Sequence, residues 1–352
     1  MKRLPFGIDL EDKEILKALS KANLKLGELN GMAKSMPNPP MVLNLITMGE
    51  AKESSAIENI VTTYDEIYQE MAVPKGNVAA KEVASYRQAI LRGAEMVKEK
   101  GYISTNMLIE LHHIIEPDIG DIRKVPGTVI MNTFTGEVLH TPPQSEKEIR
   151  DLLADLEKYI NCPELDDADP VIKMALIHYQ FESIHPFYDG NGRTGRILSI
   201  LYLLLAERLC TPIIYLSKYI NRNRGKYYKL LGDARKNKAG LKAYIIYMIK
   251  GVEWTCEFTM GLITEFNKAF EGAKTVIEER LPSIYSEALV EQLFYDFYTK
   301  NDYMCQALGI TRNTASKYLR LLCDAGVLIE EKIGKTKIYK NCFLLTLIDR
   351  LI

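Results

Sequence analysis

The sequence has almost no excess of charge of one sign. Its 45 basic and 46 acidic side chains give a formal net charge of −1 at pH 7. A nearly neutral chain has no general field that would draw the whole molecule to nucleic acid or an acidic membrane, so any polyanion site must be local. The apolar fraction of 47% and the charged fraction of 26% are those of an ordinary globular protein, which excludes the disordered and fibrous classes.

Long apolar runs and closely spaced cysteines are also missing. The longest apolar stretch, residues 197–206, has about half of the roughly 20 residues that a membrane-spanning helix needs. The basic residues Lys2 and Arg3 are followed by acidic residues rather than by the apolar core of a signal peptide. The six cysteines are at least 18 positions apart, so there is no C-x-x-C metal or redox pair. These absences predict a cytoplasmic protein with reduced thiols and no membrane partner.

Most of the sequence has helical periodicity, with apolar residues at intervals of three and four. One break, between Pro117 and Pro143, is 27 residues long, and a structureless loop of that size is unexpected in a compact domain. Within it, residues 128–131 and 137–140 flank a segment that contains Gly136. This pattern predicts a β-hairpin.

The pattern changes after Pro282, where short helical segments precede branched residues around Gly334. Three helices followed by a hairpin resemble a winged helix-turn-helix, in which Arg312, Lys317 and Arg320 of the recognition helix would face phosphates. From residue 281 onward there are nine basic and eight acidic residues, an excess of only one positive charge. DNA binding through residues 281–352 and a role in docking or dimerisation are therefore equally open.

The residues HPFYDGNGRTGR at positions 185–196 combine a base, an acid, three glycines and two arginines. The glycines match G-x-G-x-x-G, but a Rossmann site must follow a strand and residues 171–181 have helical spacing. The segment is therefore a short loop leading into a helix. At such an N-terminus, unpaired N–H groups and the helix dipole favour a phosphate.

The polar side chains of this segment suit phosphate chemistry. Arg193 and Arg196 lie three residues apart and can fork onto successive phosphates. Asp189 is a hard oxygen ligand of the kind that Mg²⁺ prefers. His185, held by Pro186 at the loop entrance, can take a proton from an incoming hydroxyl. We assign no metal-binding role to the other histidines.

The same twelve residues fill the signature H-x-F-x-[DE]-G-N-G-R-x-x-R at every defined position, and in this the chain resembles Fic-domain proteins. The likeness extends over roughly residues 20–210, since Arg123 and residues 140–143 resemble the family's flap region. It implies an all-α Fic fold with a small β-hairpin flap and a C-terminal winged helix domain. The implied regions are N-terminal helices (1–104), the Fic catalytic core (105–210), a helical extension (211–280) and the winged helix (281–352).

In Fic proteins with the full motif, the usual activity is transfer of AMP from ATP to a protein hydroxyl, with release of pyrophosphate. The resemblance implies that His185 deprotonates the target Ser, Thr or Tyr, and that Asp189 holds Mg²⁺ on the α- and β-phosphates. The other implied roles are an anion hole at Gly190, Asn191 and Gly192, β- and γ-phosphate binding at Arg193 and Arg196, a buried anchor at Phe187, and a target-binding flap at Thr128, Val129, Ile130 and Met131.

Residues 54–59, with the sequence SSAIEN, fit the pattern [ST]-x-x-x-E-[GN] of the inhibitory helix in regulated Fic proteins. Alone this pattern is weak, but beside a Fic core it implies that Ser54 and Glu58 are inhibitory. The glutamate would pair with Arg196 and prevent productive binding of the γ-phosphate, so the enzyme would be made in a repressed state.

Two other functions remain open at this point. One is removal of AMP from a modified protein, with Glu58 orienting a water. The other is a non-enzymatic regulator that senses nucleotide and binds DNA, against which the intact His185 argues, because sensing needs no base. The oligomeric state is also open, a homodimer included.

Overall fold

The computed structural model describes residues 2–36, 39–131 and 136–351. Within these ranges the chain forms fifteen α-helices and five short β-strands, so the predicted predominance of helix is confirmed. None of the helices in these ranges is both long and apolar enough to cross a membrane.

The helices are α1 (Lys13–Lys34), α2 (Pro39–Ile57), α3 (Tyr64–Ala72), α4 (Val78–Lys100), α5 (Thr105–Ile115), α6 (Glu146–Asn161), α7 (Pro170–Ile184), α8 (Asn191–Leu205), α9 (Leu216–Arg222), α10 (Arg224–Lys236), α11 (Lys238–Arg280), α12 (Glu287–Tyr295), α13 (Asn301–Leu308), α14 (Arg312–Asp324) and α15 (Cys342–Leu351). The strands are β1 (Ile130–Met131), β2 (Val138–His140), β3 (Tyr298–Thr299), β4 (Leu328–Ile333) and β5 (Thr336–Asn341).

Side-chain caps mark the starts of α6 and α7. The side chain of Asp169 accepts a hydrogen bond from the N–H of Val171 at 2.8 Å, and Pro170 is the first residue of α7. Ser145 likewise accepts from the N–H of Glu148 at the start of α6. These bonds satisfy donors that have no partner inside the helix, so the caps fix where α6 and α7 begin.

Helix α7 lies at the centre of the molecule. Thirteen of its fifteen residues are buried, so it has no solvent-facing stripe and must be covered on every side. It packs on α6, α8 and α11, while α2, α4 and α5 pack on α8. Because α7 and α8 are both fixed by this packing, the loop that joins them at residues 185–190 is also fixed.

The predicted hairpin is confirmed in outline and is shorter than expected. Strand β1 begins at Ile130 rather than at residue 128, and Ile130 pairs antiparallel with His140 of β2. The carbonyl of Thr128 instead accepts a hydrogen bond from the Gln144 side chain at 3.0 Å, so it is not available to the strand ladder. Residues 132–135, which the sequence places in the turn, lie outside the described residues.

The C-terminal region has the predicted order of three helices, α12 to α14, followed by the β4–β5 hairpin. Its sheet has the order β3-β5-β4, and neither β3 nor α15 was predicted. Helix α15 was missed because its cap comes from inside the preceding strand, where the Asn341 side chain accepts from the N–H groups of Phe343 and Leu344. Arg312, Lys317 and Arg320 are exposed on α14, as its periodicity predicted.

Helix α2 approaches the core closely at Gly49. A Cβ atom at this position would lie 2.6 Å from the hydroxyl of Tyr215 and almost as near to its ring. Tyr215 is buried and its hydroxyl lies 3.2 Å from that of Tyr64, so the ring has little freedom to move. The missing side chain therefore sets the distance between α2 and the segment before α9.

We expect Gly49→Ala to lower the free energy of unfolding by about 1–3 kcal/mol, because the added methyl group overpacks this contact. The matched control is Gly31→Ala in α1, where a Cβ meets nothing within 4 Å and the gain in helix propensity should be neutral or stabilising. Urea unfolding of both variants checks the prediction. Equal stabilities would show that Tyr215 can give way.

Candidate active site

The predicted site lies where α7 turns into the loop before α8. His185 ends α7 in the left-handed conformation, with φ 49°, and its N–H donates to the carbonyl of Phe181 at 2.9 Å. A histidine is uncommon in this conformation, so surrounding contacts must hold it there. The buried guanidinium of Arg123 is such a contact, since its Nε donates to the His185 carbonyl at 2.7 Å.

The interior of the loop is closed by Asn191 and Phe187. The Asn191 Oδ1 accepts from the Phe187 N–H and its Nδ2 donates to the Phe187 carbonyl, both at 2.8 Å. The buried Phe187 ring stacks on His112, with 3.8 Å between ring centroids. The Asn191 side chain is thus used within the loop, and only its backbone N–H can serve the predicted anion hole. His112, given no role from the sequence, supports the loop from α5.

Two glycines keep the start of α8 accessible. Gly190 has φ 72°, which favours glycine, and a Cβ there would lie 3.1 Å from the Glu116 side chain. A Cβ on Gly192 would clash with the Glu58 carboxylate, which therefore lies directly over the first turn of α8. The N–H groups of this turn have no acceptor inside the helix. They are the place where an anion would bind.

Arg196 is the buried cation of the site, with only 1% of its surface exposed. Its Nε donates to Ser54 Oγ at 2.7 Å, and its Nη2 donates to the Ser54 carbonyl at 3.0 Å and to Glu58 Oε1 at 2.8 Å. Burial alone would lower the pKa of Arg196, but the Glu58 carboxylate and the hydroxyls of nearby tyrosines together outweigh burial and hold this pKa above its usual range. The fold brings Ser54 and Glu58 to Arg196, and Glu58 follows the end of α2 rather than lying within the helix.

Arg193 is equally buried but meets different carboxylates. Its Nη1 lies 3.1 Å from Glu82 of α4, its Nη2 is bonded to Glu116 at the end of α5, and Asp189 is 3.9 Å away. Sequence reasoning missed Glu82 and Glu116, because no motif marks residues that reach the loop from distant helices. Both signature arginines are therefore paired with carboxylates in this structure.

Asp189 is the candidate ligand for Mg²⁺. Its side chain is 70% exposed, and one oxygen accepts from the Gly190 N–H at 2.6 Å. In the described part of the chain, no three His, Cys, Asp or Glu side chains gather as a metal site. Mg²⁺ often binds through one or two carboxylates together with substrate phosphates and waters. An exposed carboxylate beside an anion site fits that arrangement.

The imidazole of His185 is suited to accept a proton. Burial lowers its pKa to about 4, and the positive charges of Arg123 and Arg235 act in the same direction. The ring is therefore neutral near pH 7, which is the state that a general base requires.

Glu182 is a second residue near the loop that the sequence did not mark. It is buried in α7, its Oε1 has no hydrogen-bond partner in the described structure, and this atom lies 2.5 Å from where a Cβ on Gly195 would be. Burial raises the pKa of Glu182 to about 7, against the opposing charge of Arg196. It therefore titrates near neutral pH next to the buried arginine.

Comparisons with known proteins agree with this site. The sequence profile described as Fic/DOC family N-terminal matches residues 16–95, and that of the Fic/DOC family matches residues 102–203. A third profile, the C-terminal domain of SoFic-like protein adenylyltransferase, matches residues 270–344. The first two together cover more than half of the sequence, and the chain belongs to the Fic/DOC family.

Two curated relatives illustrate the similarity. Protein adenylyltransferase Fic of Culex quinquefasciatus is 27% identical over 174 residues, which are 49% of this chain and 32% of that protein. Protein adenylyltransferase fic-1 of Caenorhabditis briggsae is 29% identical over 164 residues, 47% of this chain and 30% of that protein. The chain thus spans about a third of the length of these relatives.

Solved structures show the fold. A Fic family protein from Desulfovibrio desulfuricans G20 superposes with a TM-score of 0.59 at 17% identity, covering 97% of this chain and 98% of that one. Residues 134–508 of Fic-1 from C. elegans superpose with a TM-score of 0.54 at 20% identity, covering 71% and 74%. The all-α Fic fold with its small hairpin is thereby confirmed.

The buried carboxyl of Glu182 gives a prediction about pH. Because its pKa is raised on folding, its contribution to stability is present at low pH and is lost as the pH rises through about 7. Glu182→Gln should therefore gain stability relative to the wild type between pH 5 and pH 8, by up to about 3 kcal/mol. Denaturant unfolding at both pH values measures the difference. The exposed Glu271→Gln is the control, and an equal shift in both variants would contradict the prediction.

Proposed function

We propose that the chain is a protein adenylyltransferase that transfers AMP from ATP to a Ser, Thr or Tyr hydroxyl of a target protein and releases pyrophosphate. The observation that carries the proposal is the neutral, partly buried His185 at the entrance of a loop that leads into the arginine-bearing helix α8. The names of the curated relatives, protein adenylyltransferases, support the same reaction.

In this proposal the residues of the loop act by position and charge, which is what phosphoryl-type transfer needs most. His185 accepts the proton of the target hydroxyl as its oxygen bonds to the α-phosphorus, and the bond from that phosphorus to pyrophosphate breaks. The first N–H groups of α8 stabilise the α-phosphate oxygens, and Arg193 and Arg196 bind the β- and γ-phosphates. Mg²⁺ held by Asp189 would neutralise phosphate charge.

We also propose that Ser54 and Glu58 keep the enzyme repressed. The Glu58 carboxylate occupies the Nη2 of Arg196 and lies over Gly192, where the end of a bound triphosphate would otherwise be placed. ATP could then bind only with its α-phosphate displaced from His185. An error of about 1 Å in such an alignment can lower a rate about 10²-fold.

Removal of AMP from a modified protein is a second candidate function. Only Oε1 of Glu58 bonds to Arg196, and Oε2 has no hydrogen-bond partner within the described residues. That free oxygen can orient a water towards the α-phosphorus of an AMP-modified side chain. In this reaction Glu58 would be required rather than inhibitory, which makes the two functions distinguishable.

The hairpin and the cytoplasmic location belong to the same proposal. A segment of the target can add as a strand beside residues 128–131 and 138–140, where Met131 and Val138 are about half exposed and unpacked. The six cysteines are all free thiols, which supports a reducing compartment. The division of the chain into regions 1–104, 105–210, 211–280 and 281–352 remains part of this proposal.

Full-length Glu58→Gly should transfer AMP from labelled ATP to itself and to proteins of a cell extract on the order of 10² times faster than the wild type. Glu58→Asp, one methylene shorter, should be intermediate. Removing the partner of the buried Arg196 also lowers stability, so thermal unfolding of Glu58→Gly must be measured and must remain cooperative. A folded, ATP-binding Glu58→Gly protein that is no faster than the wild type would refute the repression.

His185→Ala in the Glu58→Gly background should still bind ATP but lose about 10²- to 10⁴-fold in rate. Unchanged transfer would show that His185 is not the base.

Purified AMP-modified product tests the second candidate function, the removal of AMP from a modified protein. Release of AMP by the wild type and not by Glu58→Gly would favour AMP removal as the main reaction.

The winged helix carries a separate proposal of DNA contact. Lys317 and Arg320 are exposed on α14, so binding to mixed duplex DNA should weaken steeply as salt is raised. In the full chain, Lys317→Glu with Arg320→Glu should abolish this binding. Lys17→Glu with Lys21→Glu, the same charge change on exposed residues of α1, should leave it intact. Absence of salt-sensitive binding by the wild type would assign residues 281–352 to protein docking instead.

A further inference from the structure

A cavity of about 620 Å³ lies near the candidate active site, between the N-terminal segment, α7 and the junction of α10 with α11. None of its lining residues belongs to the 185–196 segment, and no Asp or Glu is among them. Five cations line it: Lys2, Arg3, Arg235, Lys236 and Lys238. We refer to this space as the basic cavity.

Most of this positive charge is not neutralised by the protein. Arg3 pairs with Asp155 at 2.7 Å and Lys236 with Asp233 at 3.1 Å. Lys2, Lys238 and Arg235 have no carboxylate within ion-pair distance in the described part of the chain. A concave surface with three unpaired cations focuses a positive potential, which attracts anions.

Arg235 is the least satisfied of these groups. It is partly buried, yet its Nε and Nη2 reach only Ser183 Oγ and the Glu182 carbonyl, both at 3.4 Å. Burial lowers the pKa of Arg235 against the opposing charge of Glu182, whose carboxylate forms no ion pair with Arg235 among the described residues. A carboxylate entering the cavity would offset the cost of this burial through charge-assisted hydrogen bonds.

Two further features of the cavity indicate what kind of ligand it would bind. The cavity includes Lys238, the first residue of the 43-residue helix α11, whose positive dipole end also favours an anion. Phe6 and Tyr179 supply an aromatic wall, with their rings edge to face at 5.6 Å. The space therefore suits acidic groups carried on a partly apolar chain rather than a free inorganic ion.

The basic cavity is continuous with the hairpin. His140, the last residue of β2, lines it and lies 2.8 Å from the Ser183 carbonyl through its Nε2. Ser183 is two residues before His185. A target segment that pairs with the hairpin and continues past His140 would therefore enter the basic cavity.

We propose that the basic cavity binds an acidic segment of the target protein, rich in Asp or Glu, next to the hydroxyl that receives AMP. This inference rests on the proposed function and names its class of substrate. The phosphates of ATP do not require the cavity, since the N-terminus of α8 and its two arginines provide for them. The unpaired cations of the cavity remain for the target.

The test compares two labelled peptides with the full-length protein in the absence of ATP. One has a central Thr flanked by Glu residues, and the other has Gln in place of every Glu. At low salt the Glu peptide should bind about tenfold more tightly or better, as a few ionic contacts allow. Lys2→Glu with Lys238→Glu should remove this preference without breaking an ion pair, and Lys17→Glu with Lys21→Glu should keep it.

A milder variant, Lys2→Gln with Lys238→Gln, covers the case in which charge reversal impairs folding, and it should lose part of the preference. In the Glu58→Gly background, the cavity variants should raise the KM for the Glu peptide and leave kcat and the modification of the Gln peptide unchanged. Rising salt should weaken binding of the Glu peptide alone.

The inference is overturned if the wild type does not prefer the Glu peptide, or if the cavity variants keep the preference. Displacement of the peptide by stoichiometric inorganic phosphate would assign the cavity to a small phosphate ligand instead. Failure of the proposed function has a different signature. If Glu58→Gly transfers no AMP to either peptide while the binding preference depends on Lys2 and Lys238, the cavity binds acidic segments but not as part of AMP transfer.

Discussion

The buried guanidinium of Arg196 requires partners, and the fold around it provides them. A cation with 1% exposure is strongly destabilising unless it is paired and hydrogen-bonded. Its partners, Ser54 and Glu58, come from the end of α2, some 140 residues earlier in the chain. This pairing fastens α2 over the first turn of α8. It also explains why the candidate active site is covered by a segment outside the signature.

Helix α2 is also held by a second set of polar contacts, with α9 and the start of that helix. The buried Glu50 accepts from the N–H of Ser217 at 2.8 Å, and Glu53 pairs with Lys218 and Asn221 of α9. These bonds lie before the last turn of the helix. Glu58 follows that turn and is bound to Arg196 through one oxygen, so its release would require no displacement of the helix as a whole.

The other signature arginine, Arg193, is also buried and is also neutralised by carboxylates. Arg193 is neutralised by Glu82 and Glu116, so neither signature arginine carries uncompensated charge in this structure. Binding of a triphosphate would exchange carboxylates for phosphates at both arginines. The basic cavity differs, because Arg235 has no carboxylate within ion-pair distance among the described residues, and its charge remains available to a partner.

The C-terminal region is packed against the same N-terminal helices. Lys340 of β5 pairs with Asp65 of α3, and the Asn44 side chain of α2 donates to Asp296 after α12. The segment at residues 54–59 lies between these two contacts in the chain. The C-terminal region and the segment that bears Glu58 therefore belong to one packed unit.

The sequence by itself determined the helical class, the hairpin and the chemistry of residues 185–196. These features depend on local periodicity, on turn residues, or on a motif long enough to mark its own chemistry. The pairing of Glu58 with Arg196 was expected only from the resemblance to Fic-domain proteins, because the pattern at residues 54–59 is weak by itself. Only the tertiary structure decided that Glu82 and Glu116 hold Arg193, that His112 supports Phe187, and that Glu182 is a buried acid beside Gly195. The tertiary structure also forms the basic cavity, because it brings the cations of residues 2–3 together with those of residues 235–238. Such groups acquire their character from desolvation and from neighbours distant in the chain, and neither is encoded in the local pattern of residues.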